Sequence, residues 1–122
     1  MKPVILSVEY DDINYLVANI SLSMRGFDVR RARTGLEAID CVSNSDDISL
    51  VLMEIRPPEL SGYDAVRKIK EIKPSIPVIA LTADAFEEDK ERALSAGCND
   101  YMSKPYRATD LLLKVCKQLG LD

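Results

Sequence analysis

Histidine is missing altogether from these 122 residues. Its absence excludes Ser-His-Asp triads, histidine-ligated zinc and histidine general bases together. Glycine is scarce, at five residues, and none of it builds a phosphate cradle: the turn after the first apolar run reads Glu9-Tyr10-Asp11-Asp12. Positive charge is in the minority, 16 Lys and Arg against 20 Asp and Glu with a formal net charge of −4. Direct nucleic-acid binding, which needs a basic face, is therefore not expected. Long hydrophobic runs are lacking too. Ile76 to Leu81 is among the longest, far short of the roughly 20 residues that cross a bilayer, so no membrane association is expected. The three cysteines, Cys41, Cys98 and Cys116, are odd in number and have no CxxC spacing. With no signal-peptide pattern ahead of them, a reducing, cytoplasmic setting is the expectation.

What is present is an ordinary apolar content of 47% beside 30% charged residues, enough to bury a core in one domain over residues 1–122. Short β-rich runs alternate with helical patterns. Val4 to Val8 predicts a buried strand. A helix is predicted from about Ile13 to Met24, capped by Asp12 and ended by Gly26, with Leu16, Val17, Ile20 and Met24 as its apolar face. Phe27 to Ala32 predicts the second strand, and Thr34-Gly35 opens a helix whose stripe is Leu36, Ile39 and Val42. Leu50 to Met53 reads as the third strand. Ser61 caps a helix reaching Ile72, stopped by Pro74, and Pro77 to Leu81 reads as the fourth strand. A charged helix from Phe86 to Ala96 ends at Gly97, Tyr101 to Ser103 is a short fifth strand, and Leu111 to Leu119 is the last helix. Such alternation implies an α/β fold, a parallel sheet with helices on both faces, because parallel strands need crossover connections.

In sheets of this kind function gathers beyond the carboxyl ends of the strands. There stand Glu9 to Asp12 after the first strand, Glu54 to Pro58 after the third, Thr82 and Ala83 after the fourth, and Lys104-Pro105 after the fifth. Hard oxygens suit Mg²⁺, while a hydroxyl and an ammonium suit phosphoryl oxygens. Each feature alone has a plain explanation: acids favoured by a helix dipole, a solvated Glu, a Lys-Pro turn. Four strand ends together carry the argument.

The runs Ile5 to Asn14, Leu52-Met53-Glu54-Ile55-Arg56 with Pro58 and Gly62, Ile79 to Ala83, and Gly97 to Pro105 resemble the receiver domain of response regulators over essentially the whole chain. The resemblance implies a (βα)5 flavodoxin-like three-layer sandwich with a five-stranded sheet of order 2-1-3-4-5. It also implies a two-component phosphorelay whose histidine kinase or phosphotransfer protein acts in trans. The domain could belong to a longer regulator or hybrid kinase. Carried over by position, Glu54 stands at the phosphoacceptor, Thr82 and Lys104 at the hydroxyl and ammonium, and Thr82 with Tyr101 at the conformational switch. Glu9, Glu54 and the backbone carbonyl of Arg56 would hold Mg²⁺, with Tyr10 in place of the second acid. A self-dimer through the face of the fourth helix, fifth strand and fifth helix is a further expectation of the family.

Two positions depart from that pattern. Tyr10 removes an acid, and a phenol of pKa about 10 is a poor Mg²⁺ ligand near neutrality. Glu54 replaces Asp and extends the carboxylate by roughly 1.5 Å, toward Lys104, so that a Glu54–Lys104 ion pair is expected. In-line transfer tolerates little misplacement. The reading is a receiver impaired in Mg²⁺-dependent phosphorylation, acting as a phosphorylation-independent or phosphomimetic interaction module and not as an enzyme. The alternatives are a working phosphoacceptor, an engineered variant of one, or a small nucleotide-binding α/β protein, the last disfavoured by the missing glycine-rich loop.

Overall fold

The computed structural model describes residues 2–55, 62–82 and 87–121, the side chains of residues 87–89 excepted. Ten elements alternate along it: β1 Val4–Val8, α1 Asp12–Met24, β2 Asp28–Ala32, α2 Gly35–Asn44, β3 Ile48–Glu54, α3 Gly62–Ile72, β4 Val78–Thr82, α4 Glu87–Ala96, β5 Asp100–Ser103 and α5 Ala108–Leu119. The five strands form one sheet of order β2-β1-β3-β4-β5, and every neighbouring pair is parallel. The fold expected from the sequence is the fold found.

Strand periodicity divides the core in two. Along β3, Leu50 and Leu52 face a cluster with Ala18 and Leu22 of α1 and Leu111, Val115 and Cys116 of α5. Val51 and Met53 face the opposite cluster, with Ala38 and Val42 of α2, Ala65, Val66 and Ile69 of α3, and Ala93 and Ala96 of α4. Two residues per repeat send successive side chains to opposite faces, so one apolar run serves both layers.

The apolar stripe read along α1 lies on the wrong side. Ala18 and Leu22 are the buried residues of that helix, whereas Leu16, Val17, Ile20 and Met24 are all more than half exposed, Met24 at 84%. Periodicity locates a helix but does not say which of two apolar stripes meets the sheet. Leu36 of α2 is likewise exposed, its place in the core taken by Ala38 beside Val42. The cap of α1 is Asp11 rather than Asp12: its carboxylate accepts from the Asn14 backbone N–H at 2.8 Å. Gly26 ends that helix with φ +103°, a region costly for a residue with Cβ. Ser61 and Phe86, expected at the starts of α3 and α4, lie outside the described residues.

Gly62 has a different reason to be glycine. Its N–H donates to the Ile55 carbonyl at 2.9 Å, and a Cβ there would stand 2.5 Å from the Ile55 Cα and carbonyl oxygen. The start of α3 is thus drawn against the backbone just after β3, next to the end that carries Glu54.

Candidate functional site

β1 and β3 are adjacent in the sheet, and parallel pairing puts their carboxyl ends side by side, with Val8 opposite Met53. Glu9 and Glu54 therefore emerge together. β4 and β5 pair Thr82 with Ser103, and the Lys104 N–H donates to the Thr82 carbonyl at 2.7 Å. That bond fixes the residue whose side chain spans back across the edge. Lys104 Nζ donates to Glu9 Oε1 at 2.7 Å and also to Glu54 Oε2. One ammonium holds two carboxylates, from positions 95 and 50 residues away.

The three side chains are mostly shielded, at 20%, 9% and 12% exposure for Lys104, Glu9 and Glu54. Burial opposes the charge of Lys104, but its bonds to Glu54 and Glu9 outweigh that and raise its pKa. Burial raises the pKa of Glu54; Lys104 pulls it down in part, and the nearby Glu9 charge adds to the rise. The pair expected between Glu54 and Lys104 is present, and Glu9 joins it as a third member.

The remaining site residues fall out differently. Thr82 is buried at the end of β4. Tyr101 is half-buried on β5, opposite Ala80, and packs against the cluster under α2, α3 and α4. Tyr10 is 57% exposed. The Arg56 carbonyl lies outside the described residues, and among the described residues no group of three or more acids, cysteines or histidines stands ready to hold a metal ion.

Arg31 was not singled out from the sequence. From β2, opposite Ser7, its Nε and Nη2 donate to the Glu9 carbonyl at 3.1 and 3.0 Å, and Nη2 also to that of Tyr10 at 3.1 Å. Its Nη1 pairs with Asp12 at 2.8 Å, its guanidinium lies 4.6 Å from the Tyr15 ring centroid, and Arg33 reaches Asp12 as well, at 3.2 Å. The turn after β1 is thereby clamped from β2. An arginine inside a strand beside an acid-bearing edge is the signal that could have found it. Tyr106, half-buried by Lys104, lines a hollow with Asn14, Val17, Lys104 and Pro105; burial raises its pKa, Lys104 opposes that rise, and the Glu9 and Glu54 charges add to it.

A family model, the response regulator receiver domain, matches residues 5–116. The hybrid signal transduction histidine kinase B of Dictyostelium discoideum is 31% identical over 93% of this chain and 6% of its own length. The response regulator SaeR of Staphylococcus aureus is 40% identical over 74% of this chain and 39% of its own length. The chain thus spans well under half of these relatives. Among solved structures, a CheY-like receiver domain protein from Methanospirillum hungatei superposes with TM-score 0.92 at 28% identity, over 98% of this chain and 95% of that one. The receiver domain of sensor histidine kinase PA1611 from Pseudomonas aeruginosa, solved with magnesium coordinated in its active-site cleft, superposes with TM-score 0.91 at 33% identity, over 98% and 99%. No helix among the described residues is long and apolar enough to cross a membrane.

Proposed function

Because this chain belongs to the response regulator receiver domain family, we propose that it is a two-component signalling module that no longer runs Mg²⁺-dependent phosphorylation. Receiver domains are signalling domains that bind Mg²⁺ and meet histidine kinases or phosphotransfer proteins; in this reading such a partner still docks, but no phosphoryl group is stored. The observation that carries the reading is the Lys104 ammonium bound to both Glu9 and Glu54. A small dication needs several hard oxygens at once. Among the described residues the donors do not fit it: both carboxylates are held by an internal cation, Asp11 caps α1, Asp12 is held by Arg31 and Arg33, and Tyr10 is a largely exposed phenol.

Glu54 binds the Lys104 ammonium, a group suited to phosphoryl oxygens, and this supports a phosphomimetic role. If so, Glu54→Gln weakens partner binding while Glu54 itself needs no activation. A carboxylate carries less charge than a phosphoryl group, so the mimicry is partial. The reading by partners is assigned to the α4–β5–α5 face. The decisive experiment is intact-mass analysis after incubation with Mg²⁺ and a small phosphodonor, beside the Tyr10→Asp, Glu54→Asp double variant. Phosphorylation of the variant alone is expected. Phosphorylation of the unaltered chain to a similar extent would make it a working phosphoacceptor and end this reading.

A further inference from the structure

Arg31 is a shielded charge outside the Lys104 cluster, its side chain only 19% exposed. It stands two residues beyond Val29, which packs into the cluster under α1 and α5. The strand period therefore puts the guanidinium on the α1 side of β2. A charge shielded to this degree is costly unless its hydrogen bonds are made, and Arg31 makes them to one short stretch of chain. Nε and Nη2 donate to the Glu9 carbonyl, Nη2 also to the Tyr10 carbonyl, and Nη1 pairs with Asp12. The Tyr15 ring covers the guanidinium at 4.6 Å.

Two successive carbonyls on one rigid fork fix the peptide planes on both sides of Tyr10. The consequence reaches Glu9. Its N–H donates to the Ala32 carbonyl at 2.9 Å, its Oε1 accepts from Lys104 at 2.7 Å, and its Oε2 accepts from the Asp11 N–H at 3.3 Å. The last of these bonds needs the turn to keep its present course, which is what Arg31 fixes. Asp12 is held outward by the same guanidinium, at 72% exposure. The Tyr10 side chain also stands outward, at 57%, and a carboxylate introduced at position 10 inherits that backbone. Arg33 offers the natural comparison. It reaches Asp12 at 3.2 Å with a side chain 50% exposed, so it adds charge beside the same acid.

We propose that Arg31 is a positioning residue of the acid edge, a fork from β2 that keeps the turn after β1 in its metal-free arrangement, with Glu9 on Lys104 and Asp12 withheld. This role rests on the reading that the edge is held without Mg²⁺, and it adds a third obstacle to those set by Tyr10 and Glu54. Restoring the two acids then recovers metal binding only in part. At saturating metal the restored chain is still loaded; Arg31 sets how much metal that takes.

Mn²⁺ is the probe, since it takes the same hard oxygens as Mg²⁺ and its free form is read by electron paramagnetic resonance. Titrations use the unaltered chain and the Tyr10→Asp, Glu54→Asp chain, each alone and with Arg31→Gln, Arg31→Lys or Arg33→Gln. In the acid-restored chain Arg31→Gln should tighten Mn²⁺ about tenfold, the scale on which groups that orient ligands change metal affinity. Arg31→Lys keeps the charge but loses the fork, and should give a smaller gain. Arg33→Gln removes an exposed charge from Asp12 and should change affinity about twofold at most. A side chain that only braced the fold would weaken Mn²⁺ binding, or leave it unchanged, when removed. Thermal melting in metal-free buffer checks folding, and should Arg31→Gln not fold, Arg31→Lys decides. An affinity that neither Arg31 variant raises, or an equal gain from Arg33→Gln, would overturn the proposal. Equal Mn²⁺ uptake by the unaltered and acid-restored chains would end the metal-free reading instead, and the Arg31 variants of the unaltered chain then decide the role of Arg31 in the same way.

Discussion

At the scale of single residues, Lys104 decides the character of the site. It is the shared cation of two shielded carboxylates, and removing one member of such a group leaves the others uncompensated, at a cost of about 3 kcal/mol. Lys104→Met should lower stability by that amount near pH 7, where Glu54 would be left beside Glu9 without its cation. As the pH falls toward 4.5, the ordinary value for Glu54, the stranded Glu54 carboxylate takes up a proton and the deficit should narrow; urea unfolding at the two pH values reads this. The native protein should show the opposite limit. The folded pKa of Lys104 is raised above its ordinary 10.5, so its contribution is fully present below that value and disappears as the pH climbs through the folded one.

At the scale of elements, the contact of Gly62 at the start of α3 with Ile55 just after β3 is a tight constraint. Gly62→Ala would place a methyl group 2.5 Å from backbone atoms of Ile55, and backbone on both sides cannot step aside as a side chain does. A loss of about 2 kcal/mol is expected, the range of overpacked sites, measurable as a lower urea midpoint with an unchanged slope. The same variant should disturb Glu54, because the end of β3 would shift against Lys104. Gly62 could be flagged from the sequence as part of a motif, but the close approach that requires it is visible only once α3 is docked. α1 shows the converse. Its length and apolar content are legible in the sequence, yet Ala18 and Leu22 face the sheet while Ile13, Leu16, Val17, Ile20 and Met24 face outward.

At the scale of the whole molecule, the two core layers bury different thiols. Cys98 is buried under α3 and α4, and burial pushes its thiol up to about 12, slightly offset by Lys70. Cys116 is buried on the α1–α5 side, and Cys41 is half-buried. A thiol needs its thiolate to react, so Cys98 should be alkylated near pH 8 only through opening of the fold. Pulse labelling with iodoacetamide, read by mass spectrometry, should give a Cys98 rate that rises with urea in step with global unfolding. Fast labelling of Cys98 in native buffer would mean that the α3–α4 layer opens by itself.

The sequence alone determined the alternation of strands and helices, the parallel sheet and the list of residues at its carboxyl edge. Those follow from local signals: β-branched runs, helical spacing, Gly and Pro punctuation, and the rule that parallel strands deliver their ends to one side. It also carried the Glu54–Lys104 pair, since both positions were set by motif neighbours. Tertiary structure decided what no local signal encodes. It brought Glu9 onto the same ammonium across 95 residues, and it laid Arg31 over the turn after β1, holding backbone carbonyls that the sequence does not display. It also chose between the two apolar stripes of α1. Small Ala18 lets the helix approach the sheet closely and Leu22 packs beside it, while Leu16, Val17, Ile20 and Met24 stay exposed.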